Sequence, residues 1–151
     1  MRAATQIDIV GPTGSQAFGL NITTLANGNF VVADPGYDMP NGPSDVGAVY
    51  LYNGATATLI STLTGSSAND SVGSNGVTVL ANGNYVIVSS QWGTNGAINV
   101  GAVTWGSATS GVNGVVNSSN SLIGNNNGDR IGSKGDMMLD NGNYVVVSPD
   151  C

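Results

Sequence analysis

The triplet Asn-Gly-Asn occurs three times in this chain, starting at residues 27, 82 and 141, so the spacing is 55 and then 59 residues. Each copy lies between a leucine (Leu25, Leu80, Leu139) and an apolar run: Phe30-Val31-Val32, Tyr85-Val86-Ile87-Val88 and Tyr144-Val145-Val146-Val147. Other landmarks recur in the same order. Gly11, Gly65 and Gly124 each stand eight residues before the glycine of Phe18-Gly19, Val72-Gly73 or Ile131-Gly132. Val46-Gly47-Ala48-Val49 returns 54 residues later as Val100-Gly101-Ala102-Val103. Self-similarity at such a period means units that bury their apolar faces on one another, because one unit alone has no core.

The units read as strands. Asn-Gly between two apolar runs signals a hairpin, and a type I′ turn with positive φ at both residues is expected. The expected hairpins join residues 20–25 to 30–33, 77–80 to 85–88 and 137–139 to 144–147. Their second strands are continuously apolar, which predicts burial on both faces. Residues 48–52 with 58–63 form a further pair, matched in the next unit by 102–105 with 115–122. No segment carries a 3.6-residue apolar stripe. The chain has no Glu and one Lys, which also argues against surface helices, since both are favoured helix formers. Four strands in 55–59 residues predict an all-β fold, a β-propeller of four-stranded antiparallel blades that is incomplete in one chain.

The phase of the repeat follows from matching residues 5–10 to 58–63. Residues 1–151 then form one repeat domain: 1–10 as the outer strand of a preceding blade, 11–64 and 65–123 as two blades, and 124–151 as the first half of a third. Such a chain is completed either by neighbouring repeats of a longer array or by copies of itself. A two-fold homodimer would close a six-bladed ring.

The pattern resembles the FG-GAP repeat of integrin-like β-propellers, in which Phe-Gly and Gly-Ala-Pro bracket the first hairpin of a blade. Phe18-Gly19 with Ala33-Asp34-Pro35 is the closest copy. Asn120-Ser121-Leu122-Ile123-Gly124, Gly101-Ala102-Val103-Thr104-Trp105-Gly106 and Asn141-Gly142-Asn143-Tyr144-Val145-Val146 look like the tandem repeats of large bacterial surface, filamentous-haemagglutinin-type proteins. The resemblance implies a structural or adhesive module at the cell surface or outside the cell. It does not bring the calcium loop of FG-GAP blades with it, because here that loop is reduced to Asn-Gly-Asn and only Asp140 adds an acid.

Composition excludes several functions. The net charge is −6 with nine acidic residues, all Asp, and three cations, Arg2, Arg130 and Lys134, too few to neutralise a run of phosphates, so no nucleic-acid partner is expected. No stretch has the length of a membrane span, and residues 1–5 lack the apolar region of a signal peptide. With no His and one Cys, at position 151, zinc sites, Ser-His or Cys-His catalysis and thiol redox pairs are not expected. No catalytic residue, metal or cofactor is assigned, and the chain is read as no enzyme.

Six residues are candidates for ligand binding. Asp34, Tyr37, Asp38 and Asp45 form the densest carboxylate loop, suited to a cation or a sugar rim; the plainer reading is an acidic loop shaped by Pro35, Pro40 and Pro43. Trp92 and Trp105, with Tyr37, have the faces to stack on a glycan, or to fill space between repeats. A carbohydrate-binding propeller is therefore the alternative function. Asp70 and Asp129 are read as acceptors for turn amides, and Cys151 as a free terminal thiol or an intermolecular disulfide.

Overall fold

In a computed structural model that describes residues 5–94 and 96–149, eleven strands follow one another with no helix among the described residues. They are β1 (Asn21–Thr24), β2 (Phe30–Asp34), β3 (Ala48–Tyr52), β4 (Leu59–Thr64), β5 (Val77–Val79), β6 (Tyr85–Ser89), β7 (Ala102–Gly106), β8 (Gly114–Val115), β9 (Ser121–Ile123), β10 (Asp136–Met138) and β11 (Tyr144–Val146). The first repeat folds into the antiparallel meander β1-β2-β3-β4, the second into β5-β6-β7-β9 and the third into the hairpin β10-β11. Residues 5–10, expected as an outer strand, lie outside every strand. Cys151 falls outside the described residues.

The three hairpins turn alike, but not as type I′. Gly28 donates its N–H to the Leu25 carbonyl at 3.0 Å, and Leu25 N–H donates to the Asn29 carbonyl at 2.8 Å; Leu80 and Leu139 repeat the pattern. Positive φ falls on Gly28, Gly83 and Gly142, with none at the preceding Asn. This is a type I turn closed by a glycine bulge. The asparagine favours it, since Oδ1 of Asn27, Asn82 and Asn141 accepts the N–H two residues on at 3.1 Å each, an Asx turn made without left-handed backbone.

Alternation along the strands then decides which faces meet. On the first sheet Val31, Ala33, Val49, Leu51 and Leu63 share one face by register, and they form one core with Tyr85, Ile87 and Ala102 of the second. The opposite face of the second sheet, with Val86, Val88 and Val103, packs on Tyr144 and Val146 of the hairpin. Each repeat therefore presents a head face to the repeat before it and a tail face to the repeat after it. The head face of the first sheet has no sheet against it among the described residues. Val32, Ala48, Tyr50 and Tyr52 are covered there by Ile9, Phe18 and Tyr37. As expected, β2 and β6 are buried on both faces. β11 is half-exposed, because its tail face carries no further layer among the described residues.

A backbone staple joins consecutive repeats. Val72 N–H donates to the Val46 carbonyl at 3.1 Å and Ser71 N–H to the Asp45 carbonyl at 3.0 Å. One repeat later, Ile131 donates to Val100 and Arg130 to Asn99 at the same distances. Asp45, Ser71, Asn99 and Arg130 all take left-handed φ of 45–52° to make it. Glycine is required at its centre, where a Cβ on Gly47 would lie 2.1 Å from Val72 N and one on Gly101 2.2 Å from Ile131 N. The recurring Val-Gly-Ala-Val is this staple.

The expected strand 115–122 is two pieces with different partners. Ser121–Ile123 pairs with β7, whereas Gly114–Val115 crosses back and runs parallel to β4 of the first sheet. Asn117 and Asn120 break the run: Asn117 accepts Ser119 N–H at 2.8 Å and Asn120 accepts Asn117 N–H at 3.0 Å. The segment 107–116 thus straps the two sheets together. Asn27 and Asn29 donate to the Ala108 carbonyl at 2.8 and 2.9 Å, Asn84 accepts Ala108 N–H at 2.9 Å, and Thr62 N–H reaches Asn113 at 3.1 Å. The longer second spacing places these extra residues here.

Candidate functional site

The carboxylates of residues 34–45 do not converge. Asp34, at the end of β2, is fully buried. Its Oδ1 accepts Ala17 N–H at 2.8 Å, while Oδ2 has no hydrogen-bond partner. The corresponding Ser89 and Ser148 instead accept Gly73 and Gly132 N–H at 3.0 and 2.9 Å. Asp38 is used structurally, accepting Asp45 N–H at 2.8 Å and the Gln16 amide at 2.5 Å. Asp45 holds the left-handed turn of the staple. Among the described residues no group of three or more His, Cys, Asp or Glu side chains is arranged to hold a metal ion.

Tyr37 packs edge-on against Tyr50, ring centroids 6.5 Å apart. It belongs to an aromatic layer with Phe18, Phe30 and Tyr52, in which Phe30 and Tyr52 stack at 5.5 Å. Burial, reinforced by Tyr37 and then Asp34, holds the Tyr50 phenol well above the ordinary range, and the Ser15 hydroxyl beside it acts weakly the other way. Tyr37 stands out in the sequence by its place in the carboxylate loop and its aromatic face, whereas Tyr50 and Ser15 do not; the signal for Tyr50 is its replacement by Thr104 at the equivalent repeat position.

Trp92 takes the place of Tyr37 in the second repeat and is buried in the core between the sheets, its indole N–H without a partner. Trp105 lies apart, half-exposed on the tail face of β7. The six candidates thus do not come together in one site. Asp70 and Asp129 accept turn amides as read: Asp70 takes Ser66, Ser67 and Gly93 N–H at 2.8–3.1 Å, and Asp129 takes Asn125 and Asn126 N–H at 2.8 Å each. Those two amides, Asn126 first, hold the Asp129 carboxyl below its ordinary value.

Two concave surfaces accompany these groups. A polar cleft of about 320 Å³ lies between 67–70 and 91–99, with Asn69, Gln91, Thr94 and Asn99 around Ala97 and Ile98. An apolar groove of about 300 Å³ runs along the head face of the first sheet, between Ile7, Ile9 and Phe18 on one side and Ile22, Phe30 and Val32 on the other. Among the described residues no helix is long and apolar enough to cross a membrane.

A family model described as a repeat of unknown function (DUF5650) matches residues 24–74, 79–133 and 138–150, so each match begins just before the turn leucine of a repeat. No curated protein and no solved structure matches the chain.

Proposed function

Since the chain belongs to the DUF5650 repeat family, we propose that it is a non-catalytic structural module whose stacked sheets are blades of an FG-GAP-like β-propeller. In this reading it serves adhesion in a bacterial surface or secreted protein, outside the cell. Its ring is completed by a second copy, giving a six-bladed homodimer, or by neighbouring repeats of a longer chain. The observation that carries the reading is the repetition of one staple and one head-on-tail packing at both junctions, from Val46 to Val72 and from Val100 to Ile131. A rule that joins each sheet to the next builds a ring when the rotation per repeat closes. The structural role is favoured further because Asp38, Asp70 and Asp129 spend their oxygens on turns. Light scattering with electron microscopy tests the reading. A particle of twice 15.1 kDa with six radial sheets around a channel supports it, and an extended rod of sheets with no axial channel overturns it.

The second reading, a carbohydrate-binding propeller, is favoured by the polar cleft, whose amides and hydroxyls around a small apolar floor suit a sugar. A glycan array decides for this reading if binding is lost on Asn69→Ala and Gln91→Ala. Silence on all glycans removes it. A broad hydrolase screen that finds turnover removes the non-catalytic reading.

A further inference from the structure

Nine asparagines of this chain are followed by glycine, at residues 27, 41, 53, 75, 82, 95, 113, 127 and 141. Such a pair can react with itself. Once the glycine amide loses its proton, its nitrogen attacks the asparagine carboxamide carbon and expels ammonia, which leaves a five-membered succinimide. Glycine carries no side chain to hinder the approach. Water then opens the ring at one carbonyl to give aspartate, or at the other to give isoaspartate, whose backbone runs through Cβ and Cγ. The sum is amide plus water giving acid plus ammonia. In a folded chain the first step needs a carboxamide that is free to turn onto the glycine nitrogen.

The structure sorts the pairs by that requirement. Of the eight that begin at described residues, seven have the side-chain oxygen held. Asn27, Asn82 and Asn141 each accept the N–H two residues on at 3.1 Å. Asn53 accepts Ala55 and Thr56 N–H at 2.9 and 3.0 Å, and Asn75 accepts Ser90 N–H at 3.0 Å. Asn113 and Asn127 reach further, to Thr62 and Ile98 N–H at 3.1 and 2.8 Å. Asn41 is the exception: among the described residues its carboxamide makes no hydrogen bond. Exposure does not separate the pairs, since Asn27 and Asn113 are as open as Asn41. What holds Asn41 is only its turn, with a left-handed φ of 57°. Gly42 N–H donates to the Met39 carbonyl at 2.8 Å and Met39 N–H to the Pro43 carbonyl at 3.0 Å. Residues 39–43 lie outside every strand, so these two bonds open without disturbing a sheet.

We propose that Asn41–Gly42 is a site of spontaneous modification in the folded protein, converted through the succinimide to aspartate and isoaspartate, while the fold shields the other described pairs. The product places a further carboxylate between Asp38 and Asp45, and the isoaspartate form lengthens the backbone where Met39 meets Pro43. Peptide mapping by mass spectrometry tests this on the full chain, held in mildly alkaline buffer with and without urea, the two acid forms being separated by chromatography. In the native protein Asn41 is expected to convert first, to both products, with the other seven amides intact. In urea its lead is expected to vanish, because every pair is then free to close. An Asn41 that stays intact in buffer while converting in urea would overturn the proposal. So would any of the seven converting as fast as Asn41 in the native protein. Gly42→Ala is expected to lose the conversion, because the added methyl group hinders the attacking nitrogen. Its nearest atoms there belong to the flexible Met39 side chain, 3.1–3.2 Å away. Conversion at the wild-type rate in that variant would mean direct hydrolysis and would also overturn the proposal. Should the variant lose its cooperative unfolding transition, the two wild-type arms still decide.

Discussion

The two junctions of this molecule use the same staple and differ in what lies beside it. Between the first and second sheets, four strands face four, and the strap 107–116 seals the outer edge with β8 on β4 and with Ala108 and Val116 in the core. Between the second sheet and the third repeat, the hairpin β10-β11 alone supplies a layer among the described residues, and Trp105 and Leu122 stay in solvent. The same Val-Gly-Ala-Val staple thus lies in a sealed junction once and a half-open one next. The staple fixes how repeats meet, and apolar burial across the outer strands makes the meeting stable.

The largest expected effect lies in the staple. Gly47→Ala combines a backbone collision with a left-handed φ of 74°, and is expected to cost ~4 kcal/mol or more. Gly101→Ala meets the same geometry at the half-open junction, where the hairpin can detach without the rest. Urea unfolding with hydrogen exchange separates them: global loss for the first, fast exchange confined to residues 131–147 for the second. Equal global losses would mean that the junctions are equally coupled.

Next come the leucines. Leu63→Ala is expected to destabilise by about 3 kcal/mol, through lost burial and a cavity. The equivalent Leu122→Ala is expected to change the stability of the monomer by less than ~1 kcal/mol. Denaturant midpoints check the pair, and similar losses would show that Leu122 is covered in solution.

The turn aspartates sharpen the contrast. Asp70 is buried with three backbone donors, and Asp70→Asn is expected to cost about 2 kcal/mol. Asp129 is only half-buried, and its substitution is expected to have a smaller effect. Its depressed folded pKa contributes stability above the ordinary value of 3.8, lost as the pH falls through the lower folded value. A carboxylate titration by NMR in which Asp129 is not the lower of the two values against a model peptide would contradict this.

The smallest effect is at alkaline pH. Burial pushes the Tyr85 phenol from 10.0 up to about 12, with Ser61 acting the other way. The folded state holds that proton more tightly than the unfolded one. Its contribution is therefore complete below pH 10.0 and is lost as the pH climbs through about 12. Phenolate absorbance is expected to show Tyr85 ionising only as the pH approaches about 12, and ionisation near 10.0 would contradict its burial.

Much of this was legible along the chain. The Asn-Gly-Asn hairpins, the apolar runs of β2 and β6, and the local turn amides taken by Asp70 and Asp129 depend on neighbours a few residues away. The turn type was misread because Asn27 satisfies Asn29 through its side chain, which makes left-handed backbone at Asn unnecessary. The acidic loop looked like a rim because spacing cannot tell that Asp34 points into the layer under Phe18 and Tyr50 while Asp38 turns to Asp45. No pattern in 107–120 announces a parallel partner in the first sheet.

Sequence alone determined the unit, its strands and the rule that each sheet follows the last, since period, turn chemistry and alternation are local and repeat. Only the tertiary structure decided that Leu63 is core while Leu122 is surface, that Gly114–Val115 joins a sheet from another repeat, and that Trp92 is packed while Trp105 is open. These outcomes depend on what lies across a face, and equivalent residues in a repeat carry no record of whether a neighbour is there.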